Sequence, residues 1–71
     1  MALSEIDKEL IKELKRLSDN HDFIVGVMSI AKRQRDRKDI LRFINRAAQE
    51  GDAVEQDDIV ALAITLKNRG K

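Results

Sequence analysis

The sequence contains no cysteine, no tryptophan and no tyrosine, and it has only one histidine. Without cysteine there is neither a disulfide nor a thiolate metal site, and a single histidine leaves few ligands for other metal sites. There is also no Gly-rich phosphate loop and no HExxH motif. We therefore expect no catalytic residues, no metal, no cofactor and no small-molecule substrate, and no enzymatic activity.

Proline is absent as well, and the three glycines lie at positions 26, 51 and 70. Apolar residues recur at spacings of three and four, and no window alternates convincingly between apolar and polar residues. The pattern predicts an all-α chain, a compact bundle of four short helices in one domain over residues 1–71. Gly26 falls inside a predicted helix at a cost of up to about 1 kcal/mol relative to alanine. We expect the close approach of another helix to compensate for it.

Long hydrophobic runs are missing too. The longest apolar-rich stretch, residues 23–31, is less than half of the roughly 20 residues that a helix needs to span a bilayer. The first ten residues carry four charged side chains, which leaves no room for the apolar part of a secretory signal. We expect no membrane partner and a cytoplasmic location.

The ends of the predicted helices rest on capping residues. Ser4 is the expected N-cap of the first helix, Asn20 is expected to end that helix in the left-handed conformation, and Asp22 is expected to cap the second. Asp36 is the expected N-cap of the third helix, and Gly51 lies just beyond its end. The predicted helices cover residues 4–18, 22–34, 37–50 and 56–68.

The second and fourth predicted helices are apolar around most of their circumference. From Ile59 to Leu66, for example, every residue except Thr65 is apolar. Two such helices are hard to cover within one small monomer, so we expect a homodimer, or another protein in its place. The side chains predicted to form this interface are Phe23, Val27, Met28, Val60, Ile64 and Leu66.

The first predicted helix carries opposite charges three residues apart, a spacing that favours surface ion pairs worth a few tenths of a kcal/mol. The pairs are Glu5 with Lys8, Glu9 with Lys12, and Glu13 with Arg16. We interpret this side of the helix as solvated surface.

Basic residues are concentrated in the middle of the chain. Residues 32–46 hold seven basic and two acidic side chains, although the net charge of the whole chain is only +1. The octet KRQRDRKD, residues 32–39, is interpreted as a joint between two helices with its break at Asp36. Arg37 and Lys38 then lie in a first helical turn, where positive charge is unfavourable by about 0.3–1 kcal/mol. The candidate phosphate-binding residues are Lys32, Arg33, Arg35, Arg37, Lys38, Arg42 and Arg46.

A sequence-reading helix-turn-helix fits the chain poorly. Gly51 follows Ala47 at the spacing of such a motif, but the next helix begins with Glu55, Asp57 and Asp58, which the phosphates would repel. Stacking on single-stranded nucleic acid needs exposed aromatic residues, and the only two aromatics lie in apolar helical patterns.

Two functions therefore stand. The leading hypothesis is a small protein-interaction module, an adaptor or regulator that acts through its apolar helix faces. The alternative is nucleic-acid binding, in which the basic segment 32–46 contacts phosphates largely without reading sequence. The plainer interpretation of the octet is a hydrated joint that keeps the chain in solution.

Overall fold

Apolar spacings of three and four produce helices throughout, so the predicted all-α class is confirmed. The computed structural model describes residues 3–69, within which there are four helices and no strand. The helices are α1 (Glu5–Leu17), α2 (His21–Ile30), α3 (Gln34–Glu50) and α4 (Gln56–Arg69). None of the four is both long enough and apolar enough to cross a membrane.

The start of α1 is capped as predicted. Ser4 Oγ accepts a hydrogen bond from the Asp7 backbone N–H at 3.1 Å, and Asp7 Oδ2 accepts one from the Ser4 backbone N–H at 3.3 Å. This reciprocal capping box satisfies two of the N–H groups that a helix start leaves without partners. It also fixes the direction of the Asp7 side chain, which is buried.

The joint between α1 and α2 differs from the prediction. Asn20 is extended, with φ of −73°, and not left-handed. Its side chain accepts a hydrogen bond from the Asp22 backbone N–H at 3.0 Å, so Asn20 and not Asp22 is the N-cap of α2. An asparagine side chain satisfies this donor as well as an aspartate does, and a short joint needs only one such residue.

The break between α2 and α3 comes earlier than predicted. Helix α2 ends at Ile30 and α3 begins at Gln34, so the chain breaks at residues 31–33. Asp36, the predicted N-cap, lies instead in the first turn of α3 and is buried, and Arg33 occupies the cap position. The octet is thus a joint followed by the first turns of α3.

The turn from α3 to α4 is a Schellman motif. Gly51 has φ of 75°, the left-handed conformation expected there, and its N–H donates to the Ala48 carbonyl at 3.3 Å. The Asp52 N–H donates to the Ala47 carbonyl at 2.9 Å. Only glycine adopts this conformation without strain, so the turn depends on Gly51.

The core lies where α1 packs on α3 and α2 packs on α4. Its most deeply buried side chains are worth about 1.5–3 kcal/mol each relative to exposure. They are Leu10, Leu14, Val27, Ile40 and Ile59. The radius of gyration of 11.3 Å matches the roughly 11 Å of a compact chain of this length. Contact between α1 and α2 is much slighter, and it leaves a groove between them.

The expected close approach of a helix at Gly26 is wrong. A Cβ atom placed on Gly26 would meet no other atom within 4 Å. The reason is that α2 is anchored by Phe23 and Val27, which are buried, whereas Gly26 is only half-buried beside them.

Candidate binding groove

The six residues predicted to form an interface are divided between the core and the surface. Phe23, Val27 and Leu66 are at most 9% exposed and belong to the core of the monomer. Because α2 and α4 cover each other, the apolar character of these three side chains needs no partner to explain it. Met28 and Val60 are half-buried against the core, and Ile64 is 44% exposed.

Two adjoining hollows lie along α1 and α2. The first, lined by Leu3 and α1, has a volume of about 490 Å³, and the second, between α1 and α2, has a volume of about 540 Å³. Both are lined by Ile11 and Lys15, so the two hollows adjoin each other. We call the pair the α1–α2 groove. Its apolar floor consists of Leu3, Ile11, Ile24, Val25 and Met28. Its cationic rim consists of Lys8, Lys12, Lys15, Arg16, Lys32 and Arg37.

Two of the most exposed large apolar side chains belong to this floor. Leu3 is 51% exposed and Val25 is 47% exposed. Phe43 and Ile64 are exposed to a similar degree, but they lie outside this groove, on α3 and α4. Single apolar residues are ordinary on a protein surface, whereas adjoining ones in a concave groove are typical of a binding site.

The lysines of the rim are not neutralised by neighbouring carboxylates. Of the three ion pairs predicted on α1, the structure forms Glu13 with Arg16, at 3.3 Å. Lys8 and Lys12 take part in no salt bridge within residues 3–69, so those two predicted pairs are wrong. A solvent-exposed ion pair contributes too little free energy to hold two long side chains in one conformation.

The lysines and the glutamates of α1 lie in two neighbouring rows, and Arg16 lies beside the glutamates, paired with Glu13. Lys8 and Lys15 flank Ile11 at positions i−3 and i+4, which places them on the side of α1 that faces the groove. Glu5, Glu9 and Glu13 repeat every four residues along another side, and Glu13 lines a different hollow beside α3. Helix α1 has four acidic and four basic side chains, yet it presents a positive surface to the groove.

Arg37, at the edge of the groove, connects the start of α1, the end of α2 and the start of α3 through hydrogen bonds. Its Nη1 donates to Asp7 Oδ1 at 2.9 Å, its Nη2 to the Met28 carbonyl at 2.9 Å, and its Nε to the Ala31 carbonyl at 2.5 Å. The two carbonyls lie at the end of α2, where helical carbonyls lack partners, so Arg37 satisfies them. The interpretation of Arg37 as a cation that is unfavourably placed for folding is therefore wrong, and three of its five N–H donors are used within the monomer.

Gln34, which is itself exposed, completes this network around the buried Asp7. Gln34 Nε2 donates to Asp7 Oδ1 at 2.8 Å, and Ser4 Oγ donates to Gln34 Oε1, also at 2.8 Å. The hydrogen bond from Gln34, followed by those from Arg37 and Ser4, lowers the pKa of Asp7 to about 2 although burial acts to raise it. These groups are held by one another, and the network stabilises the start of α1 against α3.

The other candidate phosphate ligands are also separated by the fold. Lys32 lies on the rim of the groove, and Arg33 is the N-cap residue of α3. The remaining four, Arg35, Lys38, Arg42 and Arg46, are exposed and follow one another at spacings of three, four and four residues. That spacing puts them in one row along the outside of α3.

Sequence reasoning missed the groove and most of its rim. The available signal was the lysine row of α1, at positions 8, 12 and 15 around Ile11, but the same lysines also fitted local ion pairs. Within residues 3–69, no group of three or more His, Asp and Glu side chains is arranged to hold a metal ion. Comparisons of the chain with protein-family models, curated proteins and solved structures find no match.

Proposed function

We propose that this chain is a small, non-enzymatic protein-interaction module, an adaptor or regulator in the cytoplasm. It binds another protein through the α1–α2 groove. The observation that carries the proposal is the apolar floor of the groove, which no helix of the described chain covers.

The energetics favour a partner at this floor. Leu3 and Val25 are about half exposed, so covering them removes apolar area from water at about 25 cal/mol per Å². The core of the monomer is already formed without them, so their exposure is not explained by folding. Met28 adds a flexible side chain, which adapts well to a partner's surface.

The proposal is tested by selecting peptides from a random library displayed on phage, with the full chain as bait. Selected peptides are then measured against Val25→Asp and against Ile64→Asp, a matched control with an equally exposed apolar residue on α4. We expect Val25→Asp to weaken binding by at least about 10-fold, since a carboxylate in an apolar contact is costly, and Ile64→Asp to change it little. If no selected peptide depends on Val25, the groove is not the binding surface.

The homodimer predicted from the sequence remains a second form of the same proposal. Val60 and Ile64 lie four residues apart on α4, on the same side of the helix, and Ile64 is 44% exposed. A dimer through α4 would leave the α1–α2 groove open for a different protein.

Nucleic-acid binding is the second candidate function, and the basic row along α3 supports it. Arg35, Lys38 and Arg42 make no salt bridge within residues 3–69, and Arg46 makes a single exposed one with Glu50, at 3.5 Å. A row of cations on one exposed helix face can neutralise several phosphates, which is the sequence-independent part of nucleic-acid binding. The groove ranks first because it also offers apolar area.

A further inference from the structure

The lining of the α1–α2 groove has one sign of charge. Among the described residues that line its two hollows there are six lysines and arginines but no aspartate or glutamate. Arg16 and Arg37 are already paired, with Glu13 and Asp7 respectively. The lysines of the rim, Lys8, Lys12, Lys15 and Lys32, have no salt-bridge partner in the part of the chain that the structure describes.

A partner that covers the apolar floor must therefore meet these ammonium groups at its edges. The electrostatic potentials of two surfaces that bind each other are complementary. Like charges placed opposite each other cost several kcal/mol of binding free energy. The occupant must have an apolar centre and carboxylates on both flanks, because Lys8, Lys12 and Lys15 lie on the α1 side of the floor while Lys32 lies beyond the end of α2.

The shape of the groove favours a helix as the occupant. The described residues form no strand to which an extended peptide could be added, and the floor contains no aromatic residue of the kind that binds polyproline segments. What remains is a groove between two helices with Leu, Ile, Val and Met side chains in its floor, the type that receives the apolar face of an amphipathic helix. Helix α1 has 13 residues and is about 20 Å long, enough for a partner helix of three turns.

We infer that the α1–α2 groove binds an acidic amphipathic helix of another protein. This inference rests on the proposed function and adds the chemistry of the partner. Leu, Ile or Met side chains of the partner helix lie on Ile11, Val25 and Met28. Its Glu and Asp side chains contact the rim lysines.

The test uses the full chain and three labelled synthetic peptides of 16 residues. The first is an amphipathic helix with leucines at spacings of three and four and glutamates on both flanks. The second has the same composition with leucines at alternate positions, which removes the apolar helical face. The third replaces every glutamate with lysine. Binding is measured by fluorescence anisotropy at low and near-physiological salt.

We expect the first peptide to bind at least about 10-fold more tightly than the other two, and to bind less tightly as salt increases. The double substitution Lys12→Glu with Lys15→Glu should weaken its binding by at least about 10-fold. Lys38→Glu with Arg42→Glu makes the same change of charge on α3 and is the matched control, for which we expect less than about a twofold change. Circular dichroism of both variants shows whether they keep their helices.

Three results would overturn the inference. One is equal binding of the three peptides, or binding that both double variants reduce alike. A second is self-association of the chain that the Lys12 and Lys15 substitutions abolish, which would make a second copy the occupant, through the acidic start of its α4. The third is tighter binding to vesicles with anionic phospholipid than to the first peptide, again dependent on Lys12 and Lys15.

The phage selection distinguishes failure of the acidic-helix inference from failure of the proposed function. Selected peptides that depend on Val25 but are neither acidic nor helical would leave the groove as a protein-binding surface and refute the acidic helix. Failure to select any peptide that depends on Val25 would refute the proposed function itself.

Discussion

Arg37 and Asp7 lie 30 residues apart in the sequence, and they form a salt bridge of 2.9 Å in which the two side chains are only 17% and 8% exposed. The same guanidinium donates to the carbonyls of Met28 and Ala31. Three of the four helices therefore meet at one side chain. Removing one partner of such a pair leaves the other charge buried without compensation. The resulting loss of folding free energy is larger than the net stabilisation that the intact pair provides.

We predict that Arg37→Lys destabilises the fold by about 2–4 kcal/mol, because one ammonium group cannot reach three acceptors that a planar guanidinium bonds at once. Urea denaturation followed by circular dichroism measures this change. Arg42→Lys is the control, since Arg42 is exposed and outside the network, and we expect it to stay within about 0.5 kcal/mol of the wild type. Equal stability of the two variants would contradict the structural role of Arg37.

Asp7 should make the stability of the chain depend on pH under acid conditions. Its pKa is lowered from 3.8 to about 2 in the folded state, so its contribution is present above pH 3.8 and is lost as the pH falls towards 2. We expect Asp7→Asn to be less stable than the wild type at neutral pH, and the difference to shrink between about pH 4 and pH 2. Urea denaturation at a series of pH values checks this. A difference in stability that stays constant between about pH 4 and pH 2 would contradict this role of Asp7.

The two internal glycines should respond to alanine in opposite ways. Gly26→Ala should stabilise the protein by about 0.5–1 kcal/mol, because its Cβ meets no atom within 4 Å and alanine favours the helix. Gly51→Ala should destabilise it by about 1–2 kcal/mol, because φ of 75° is strained for any residue with a Cβ. Thermal unfolding measures both, at about 4–8 °C per kcal/mol for a chain of this size. A loss of stability in Gly26→Ala would mean that this position is more closely packed than the structure shows.

The basic row of α3 can be tested without disturbing the fold. If duplex DNA binds through this row, log affinity against log salt should have a slope of about −0.9 for each phosphate contacted. Replacing Arg35, Lys38 and Arg42 together with alanine should then flatten the slope by about 2.7. Arg37 must stay in this experiment, since its loss would change stability and binding together. Fluorescence anisotropy at several salt concentrations supplies the slopes, and unchanged slopes would exclude this row as a DNA contact.

The homodimer has an equally direct test. If two copies pair through α4, sedimentation should give twice the monomer mass of 8.1 kDa, and Ile64→Asp should restore the monomer mass. Ile64 is exposed enough for aspartate to be tolerated in the monomer, so helicity should be kept. A monomer mass for the wild type at about 100 μM, well above typical dimer dissociation constants, would refute the pairing.

Much of the fold could be read from local sequence. The apolar spacings predicted all four helices, and the cap at Ser4 and the turn at Gly51 are as expected, because both depend on residues within a few positions of each other. The boundary between α2 and α3 was misplaced for the opposite reason. At this boundary Arg37 donates to the carbonyls of Met28 and Ala31 and to Asp7 in another helix, and no local pattern reveals the contact with Asp7.

The candidate site was less predictable than the fold. Apolar periodicity marks the side chains that are buried, but it does not say whether the cover is the same chain or a partner, so Phe23 and Leu66 were assigned to an interface. The groove depends on how far apart α1 and α2 lie, which is set by the packing of each on a different helix. The lysine row around Ile11 was visible in the sequence, but its orientation was not.

The network at Asp7 also has a consequence for how the molecule opens. The first turn of a helix usually frays, and its amide hydrogens exchange rapidly with solvent. In α1 that turn is held by Gln34 and Arg37, which belong to the start of α3. The amides of Asp7 and Lys8 should therefore exchange only when α3 also releases its first turn, so α1 and α3 open as one cooperative unit.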